Sequence, residues 1–303
     1  MKLAVTGGTG LIGRPLCEAL LRDGHEVLLL TRAPSRALAA SAERLRVVPW
    51  QPGIDSGWAA MLDGVDGILN LAGESIAERR WTAMQKRRIL RSRLDVTTAL
   101  VDAMPRMRHR PAVLISASAV GYYGPHGDET LDESAAPGAG FLAEVCRQWE
   151  AAAARAETLG VRVVRLRLGL VLAVDGGALA RMAPPFRLGL GGPLGSGRQW
   201  MSWIHRDDVI GLIRRALAEP ALAGAVNATA PSPVTMRDFA RTLGCVLHRP
   251  AVLPVPAFAL RLLVGEMSEL LLTGQRVVPS AAQRAGHVFT YPSLEPALRS
   301  CLA

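Results

Sequence analysis

The amino-acid sequence predicts an α/β fold, a doubly wound parallel sheet followed by a smaller C-terminal α+β lobe. Three observations lead there. Short apolar runs alternate with stretches of helical spacing through the first half of the chain, and no hairpin turn signal separates them. Several of these runs are apolar throughout instead of alternating, as strands covered on both faces must be. A glycine-rich turn stands where the first strand gives way to the first helix.

Residues 2–6 (KLAVT) make the first strand, and 11–24 carry apolar residues at helical spacing up to Gly24, a usual position for closing a helix. Residues 26–31 (EVLLLT), 45–50 (LRVVPW) and 64–73 (GVDGILNLAG) supply the next three strands. A long basic helical stretch over 78–103 leads to a fifth strand at 111–118 (PAVLISAS). A helix over 140–159 leads to a sixth at 161–172 (VRVVRLRLGLVL). Parallel strands joined through helices require right-handed crossovers. Beyond 172 the texture changes: 184–200 reads as Gly/Pro-rich loop, 231–244 as a loop entering a helix, and 254–280 as an apolar helix with a proline-bounded strand. The expected organisation is a nucleotide-type sheet domain over 1–172, completed by parts of 200–230, and a lobe over 173–303 that closes on a ligand.

Half of the 303 residues are hydrophobic and a fifth are charged, an ordinary globular balance with few aromatics. The net charge is +9, and arginine supplies nearly all of it, since Lys2 and Lys86 are the only lysines. The basic residues are dispersed without aromatic interleaving, so no nucleic-acid partner is expected. Cys17, Cys146, Cys245 and Cys301 are far apart in sequence and read as reduced, buried small hydrophobes. With a strand beginning at position 2, no leader peptide is expected ahead of the fold. No apolar run approaches the roughly 18 residues of a membrane span. The expectation is a cytoplasmic protein, monomer or homodimer, with an unknown small-molecule substrate and no membrane partner.

The turn TGGTGLIG (6–13) places Gly7, Gly10 and Gly13 between strand and helix. Gly7 permits the tight turn, Gly10 lets backbone approach a pyrophosphate, and Gly13 lets the helix pack closely on the sheet. Thr9, Leu11 and Ile12 complete a cradle whose amides face phosphate at the helix N-terminus. This is a Rossmann-type dinucleotide site. At the end of the second strand, where an NAD enzyme keeps an acid for the ribose, stand Thr31 and Arg32, with Ser35 and Arg36 beyond. A guanidinium grips a 2′-phosphate that a carboxylate would repel, so the cofactor expected is NADP(H).

After the fifth strand, SASAVGYYG (116–124) puts Ser118, Tyr122 and Tyr123 at the carboxyl edge of the sheet, where ligands bind in this topology. They are the candidate catalytic residues, the alternative being a Ser/Tyr turn that satisfies its own backbone. In WIHRDDV (203–209), His205, Asp207 and Asp208 have no partner cluster for a metal, and an Asp is expected to cap the following helix.

TGGTGLIG, NLAG, SASAVGYYG and WIHRDDV together resemble the extended short-chain dehydrogenase/reductase superfamily of sugar-nucleotide epimerases and dehydratases. GESIAERRW, SRLDVTTAL, PFRLGLGGPLGSGRQWMSWIH and GEMSELLLTGQRVVPSAAQRAGHVF are similar to its atypical "epimerase family" branch, which has a C-terminal domain of unassigned function, here over 250–303. The resemblance implies NADP(H), with Arg32 facing the adenosine phosphate and Leu71, Ala72 and Gly73 lying under the cofactor. It also implies a cofactor contact at Arg93, and an oxidoreductase or epimerase-like reaction.

That reaction meets an obstacle in the sequence. Fully active relatives use a serine and, about two dozen residues later, Tyr-x-x-x-Lys, in which tyrosine moves the proton and lysine lowers its pKa. Counting from Ser118 reaches Phe141 or Leu142, then Val145 or Cys146; Glu150 fits the glutamate that often trails the lysine by four. The residues four beyond Tyr122, Tyr123 and Tyr291 are His126, Gly127 and Glu295. The standard relay is excluded. Hydride transfer with another proton donor, or a non-catalytic NADP(H)-responsive binding protein, remains.

Overall fold

A computed structural model describes residues 1–36, 43–54 and 57–302. The strands and helices in chain order are β1 (Lys2–Thr6), α1 (Gly13–Arg22), β2 (Glu26–Thr31), β3 (Leu45–Pro49), α2 (Trp58–Met61), β4 (Gly67–Asn70) and α3 (Ala83–Ala103). Next come β5 (Val113–Ala119), β6 (Thr130–Leu131), α4 (Phe141–Ala154), β7 (Arg162–Leu168), β8 (Leu170–Leu172) and α5 (Gly177–Arg187). The chain continues through β9 (Trp200–Met201), β10 (Trp203–His205), α6 (Arg206–Ala218), β11 (Gly224–Ala228), β12 (Val234–Thr235) and α7 (Met236–Val246). It ends with α8 (Ala257–Val264), α9 (Glu269–Leu272), β13 (Arg276–Val277), α10 (Ser280–Arg284) and α11 (Leu294–Leu302).

Seven strands form one parallel sheet in the order β11-β7-β5-β4-β1-β2-β3. The order reverses between β1 and β4, so the crevice that binds ligands in doubly wound sheets opens at their carboxyl ends. Aliphatic side chains fill both faces. Leu3, Val5, Leu29 and Val164 pack under α1 and α6 on one side, while Ala4, Leu28, Ile68 and Leu114 meet α3 on the other. This explains why the strand sequences lack alternation.

The structure departs from the sequence reading at several points. The sixth strand is two. At Gly169 the chain leaves the main sheet: its N–H donates to Ala228 O, and the next amide, of Leu170, donates to Ser202 O. A Cβ on Gly169 would lie 2.4 Å from Ser202 O, so only glycine passes this crossing. β8 then pairs with β10 in the C-terminal half. Pro184 and Pro185, expected in loop, lie inside the last turn of α5, where each forfeits its own amide bond to the preceding turn. The basic stretch from 78 becomes helical only at Ala83, after Thr82 accepts a hydrogen bond from Gln85 N. Neither Asp207 nor Asp208 caps α6; the His205 ring does, accepting from Asp207 N. Asp208 is buried and instead receives the amides of Thr290 (2.6 Å) and Tyr291 (3.0 Å), fixing the C-terminal segment to α6. Cys17, Cys146 and Cys301 are buried, but Cys245 is exposed, contrary to the expectation for it.

One buried polar network ties the carboxyl end of the sheet to α4 and to the C-terminal segment. Arg167 on β7 donates Nε to Glu150 Oε1 (2.9 Å) and Nη2 to Glu150 Oε2 (3.0 Å), a two-pronged pair with both side chains about 95% buried. Its Nη1 donates to the Tyr123 hydroxyl (2.8 Å), which donates to Asn227 Oδ1 on β11 (2.7 Å). Asn227 Nδ2 donates to Val278 O (3.0 Å). Burial alone would lower the pKa of Arg167, but the hydrogen bonds and charge of Glu150 outweigh it and hold the guanidinium protonated.

Charges so buried are stable only as a pair. Glu150→Gln is therefore expected to cost about 3 kcal/mol in chemical denaturation, by leaving Arg167 without its counter-charge. The double variant Glu150→Gln/Arg167→Gln should lose clearly less than the sum of the two singles, because the two side chains act as one unit.

Candidate functional site

The glycine turn is held as its sequence requires. Gly7 has φ +72°, and a Cβ there would lie 2.6 Å from the Leu71 carbonyl. A Cβ on Gly13 would lie 2.2 Å from Gly7 O, whereas at Gly10 it would meet only Gly7 O, at 3.2 Å. The turn thus packs on Leu71 and Ala72 after β4 and leaves its Gly10 side open. No side chain caps the N-terminus of α1. Thr9 and Ile12 are half-buried, with Ile12 against the core, and Leu11 reaches across to Gly176 and Gly177 at the start of α5. Thr31 is buried at the end of β2 and accepts from Ala33 N (3.1 Å), while Arg32 is exposed. Among the described residues no carboxylate pairs with Arg32.

Beside the turn, at the carboxyl ends of β4, β5 and β7, lies a cavity of about 420 Å³. Leu71, Gly73, Arg93 and Ser118 all line it, so the structure brings these four predicted residues together. Leu142, Cys146 and Trp149 of α4 line it as well, together with Leu270, Thr273 and Gln275 of the C-terminal segment. Gln275 Nε2 donates to Val120 O (2.7 Å), closing the floor.

Arg93 reaches the cavity from α3, with its guanidinium carbon 3.1 Å from the place where a Cβ on Gly73 would be. It lies over the Trp149 ring (5.1 Å to the centroid), and Nη1 donates to Ile89 O (2.9 Å). Burial pulls its pKa below the usual arginine value. A second hydrogen-bonded cluster supports this wall. Thr97 Oγ1 accepts from Asn70 Nδ2 (2.8 Å) and Trp149 Nε1 (2.9 Å) and donates to Arg93 O (2.8 Å).

The candidate proton donors fare differently. Ser118 Oγ is 2.7 Å from Glu150 Oε1, and because a carboxylate only accepts, the serine proton is committed there. What Ser118 offers the cavity is an acceptor lone pair. Tyr122 and Tyr123, the other candidate proton donors, are not among the residues that line the cavity. They sit on a single tight helical turn after β5 that directs Tyr123 into the core, where it is fully buried and its hydroxyl is held by Arg167 and Asn227. Burial raises its pKa further. The Tyr122 ring lies against the Arg167 guanidinium, 3.5 Å from its centroid. On α4, Cys146 does face the cavity, but burial and the neighbouring Glu150 charge push its thiol up to about 11.

Sequence reasoning singled out Glu150 and missed its partner. The signal was present in RVVRLRL: an arginine at an inward position of a buried strand demands an acid. The lobe residues Leu270 and Gln275 carried no signal, since their place at the cavity depends on the whole C-terminal path.

Comparison with known proteins agrees with this architecture. The model of the NAD dependent epimerase/dehydratase family matches residues 3–228, and that of a domain of unknown function, DUF1731, matches 255–301. The chain is 44% identical to the chloroplastic epimerase family protein SDR39U1 homolog of Arabidopsis thaliana, covering 100% of this chain and 87% of that protein. It is 40% identical to the epimerase family protein YfhF of Bacillus subtilis, over 100% and 98% of the two chains. The crystal structure of human epimerase family protein SDR39U1 (isoform 2) with NADPH superposes with a TM-score of 0.88 at 34% identity, over 99% of each chain. A UDP-glucuronic acid 4-epimerase from Bacillus cereus, at 17% identity and a TM-score of 0.80, shares the fold. With a sheet, a glycine turn and a C-terminal segment each matched in turn, the chain belongs to the NAD dependent epimerase/dehydratase family, in the branch that carries DUF1731.

Proposed function

We propose that this protein binds NADP(H) along the carboxyl edge of its sheet and uses it to reduce or oxidise a small, largely apolar molecule in the adjoining cavity. The observation that carries the reading is the continuity of the two: the glycine turn packs on Leu71, and Leu71 lines the cavity. The cradle fits a dinucleotide. Gly10 leaves its side open, Ile12 at the α1 N-terminus makes no side-chain capping bond, and Arg32, which pairs with no carboxylate among the described residues, stands where an adenosine 2′-phosphate requires a cation. The relative solved with NADPH supports the same choice.

When bound, the nicotinamide supplies or takes a hydride. The chain's own residues orient and enclose. Leu71, Ala72 and Gly73 provide a flat backbone surface, and Arg93 presents its guanidinium beside Gly73. Leu142, Cys146, Trp149 and Leu270 select an apolar body. With the Ser118 proton held by Glu150 and the Cys146 thiol pushed up to about 11, so that it parts with its proton reluctantly, the proton that balances the reduction of a carbonyl comes from solvent at the cavity mouth.

The same features favour a second reading, a non-catalytic NADP(H)-responsive binding protein, because Leu142 and Cys146 stand where fully active relatives carry tyrosine and lysine. Incubation with NADPH and a panel of aldehydes, ketones and enones separates the two. Loss of the reduced-nicotinamide absorbance with an apolar member of the panel supports the first. Tight NADPH binding with no turnover across the panel supports the second.

Two measurements check the parts. Arg32→Asp should weaken NADPH binding roughly 10- to 100-fold, the worth of charge-assisted hydrogen bonds, while changing NADH binding little; equal weakening of both would sink the 2′-phosphate assignment. In the native protein near neutral pH, a thiol-alkylating reagent should modify exposed Cys245 and leave Cys146 untouched until the chain is unfolded.

A further inference from the structure

Two stretches of the chain contain no acidic residue at all, 176–206 and 239–265. The fold lays them side by side. Leu253 N donates to Gly191 O (3.2 Å), Val255 N to Pro193 O (3.0 Å), and Gly195 N to Val255 O (2.9 Å). On these two stretches large apolar side chains are exposed: Leu188 (75%), Val252 (74%), Phe258 (72%) and Leu262 (78%), with Leu190, Leu253 and Leu263 also exposed. Phe258 and Leu262 are one helical turn apart on α8, with Arg261 between them, and Leu260 on the other face is buried. This concentration is unlike the isolated exposed apolar residues found elsewhere on the molecule, such as Ile54 and Met84.

Arginines stand among these side chains. Arg181, Arg187, Arg249 and Arg261 are exposed, and among the described residues none of them pairs with a carboxylate. Arg249 Nε donates to the backbone carbonyl of Arg187 (3.0 Å), so this arginine of the second stretch lies against the first.

From exposed Phe258 and Leu262 on either side of Arg261, and from exposed arginines that pair with no carboxylate among the described residues, we infer that the surface docks on an anionic lipid bilayer, with the apolar side chains entering the boundary between headgroups and acyl chains and the guanidiniums binding lipid phosphates. Charge decides the occupant. A second copy of this chain placed about a two-fold axis would set arginine against arginine. A nucleic acid would satisfy the guanidiniums and leave the leucines and Phe258 in water. An anionic membrane satisfies both. Among the described residues no helix is long and apolar enough to cross a membrane, so the chain lies on the surface and does not span it. The inference replaces the expectation, drawn from the lack of a spanning run, that the chain has no membrane partner.

Sedimentation of the full chain with vesicles tests it. The chain should pellet with equimolar phosphatidylcholine and phosphatidylglycerol and stay in solution with phosphatidylcholine alone, and added salt should release it. Phe258→Asp/Leu262→Asp and, separately, Arg187→Glu/Arg249→Glu should each lower vesicle binding at least tenfold while the circular dichroism, thermal unfolding and NADPH binding stay as in the parent. All four side chains are exposed, and the one hydrogen bond described for them, from Arg249 to the Arg187 carbonyl, lies at the surface. No phosphatidylglycerol-dependent pelleting, or undiminished pelleting by both variants, overturns the inference. So does a concentration-dependent dimer that Phe258→Asp/Leu262→Asp dissociates in vesicle-free solution, which assigns the face to self-association. Salt-sensitive binding to duplex DNA that survives Phe258→Asp/Leu262→Asp, with no vesicle binding by the parent, assigns it to nucleic acid.

Discussion

The pair between Glu150 and Arg167 is the interaction on which the ligand-binding end of this molecule depends. It joins α4 to β7 and, through Ser118, Tyr123 and Asn227, it reaches β5, β11 and the segment around Val278. Each of these groups is buried, so each is costly unless its neighbour is in place. The cavity wall formed by α4 is positioned from behind by this network, while its cavity side is apolar apart from what Ser118 leaves free.

This division explains the combination of a dinucleotide cradle with an apolar chamber. The cradle needs backbone, and the sequence supplies glycines at the positions where a Cβ would collide with Leu71 or with Gly7. The chamber needs shape, and α4, α3 and the C-terminal segment supply it with Leu142, Trp149 and Leu270. Among the described residues, Arg93 from α3 is the cationic side chain that lines the chamber.

Much of the fold was legible because its signals are local. Strands of five or six residues such as β1 and β2 announce themselves by their apolar runs, and the glycine turn by its neighbours on either side. The expected completion of the sheet by a later segment corresponds to β11. The C-terminal half was read coarsely, since strands of two or three residues such as β9, β12 and β13 are shorter than any periodicity that could reveal them. The break at Gly169 was hidden for a different reason: VRVVRLRLGLVL is uniformly strand-like, and what divides it is the carbonyl of Ser202. The tyrosines show the limit for a site. Proximity to Ser118 in sequence placed both beside the crevice, but one turn of backbone after β5 decides which way a side chain faces, and it turned Tyr123 inward.

The path of the chain through Gly169 also bears on how the protein is made. The strand that ends the sheet, β11, is synthesised after β8, β9 and β10 have been laid down in the other half of the molecule. Until residue 228 has left the ribosome, β7 is an edge strand with a row of unpaired backbone groups, and Arg167 lacks the Asn227 end of its network. The two halves therefore mature together. A nascent chain arrested between them presents an open, apolar sheet edge, the feature that chaperones recognise and that aggregation exploits.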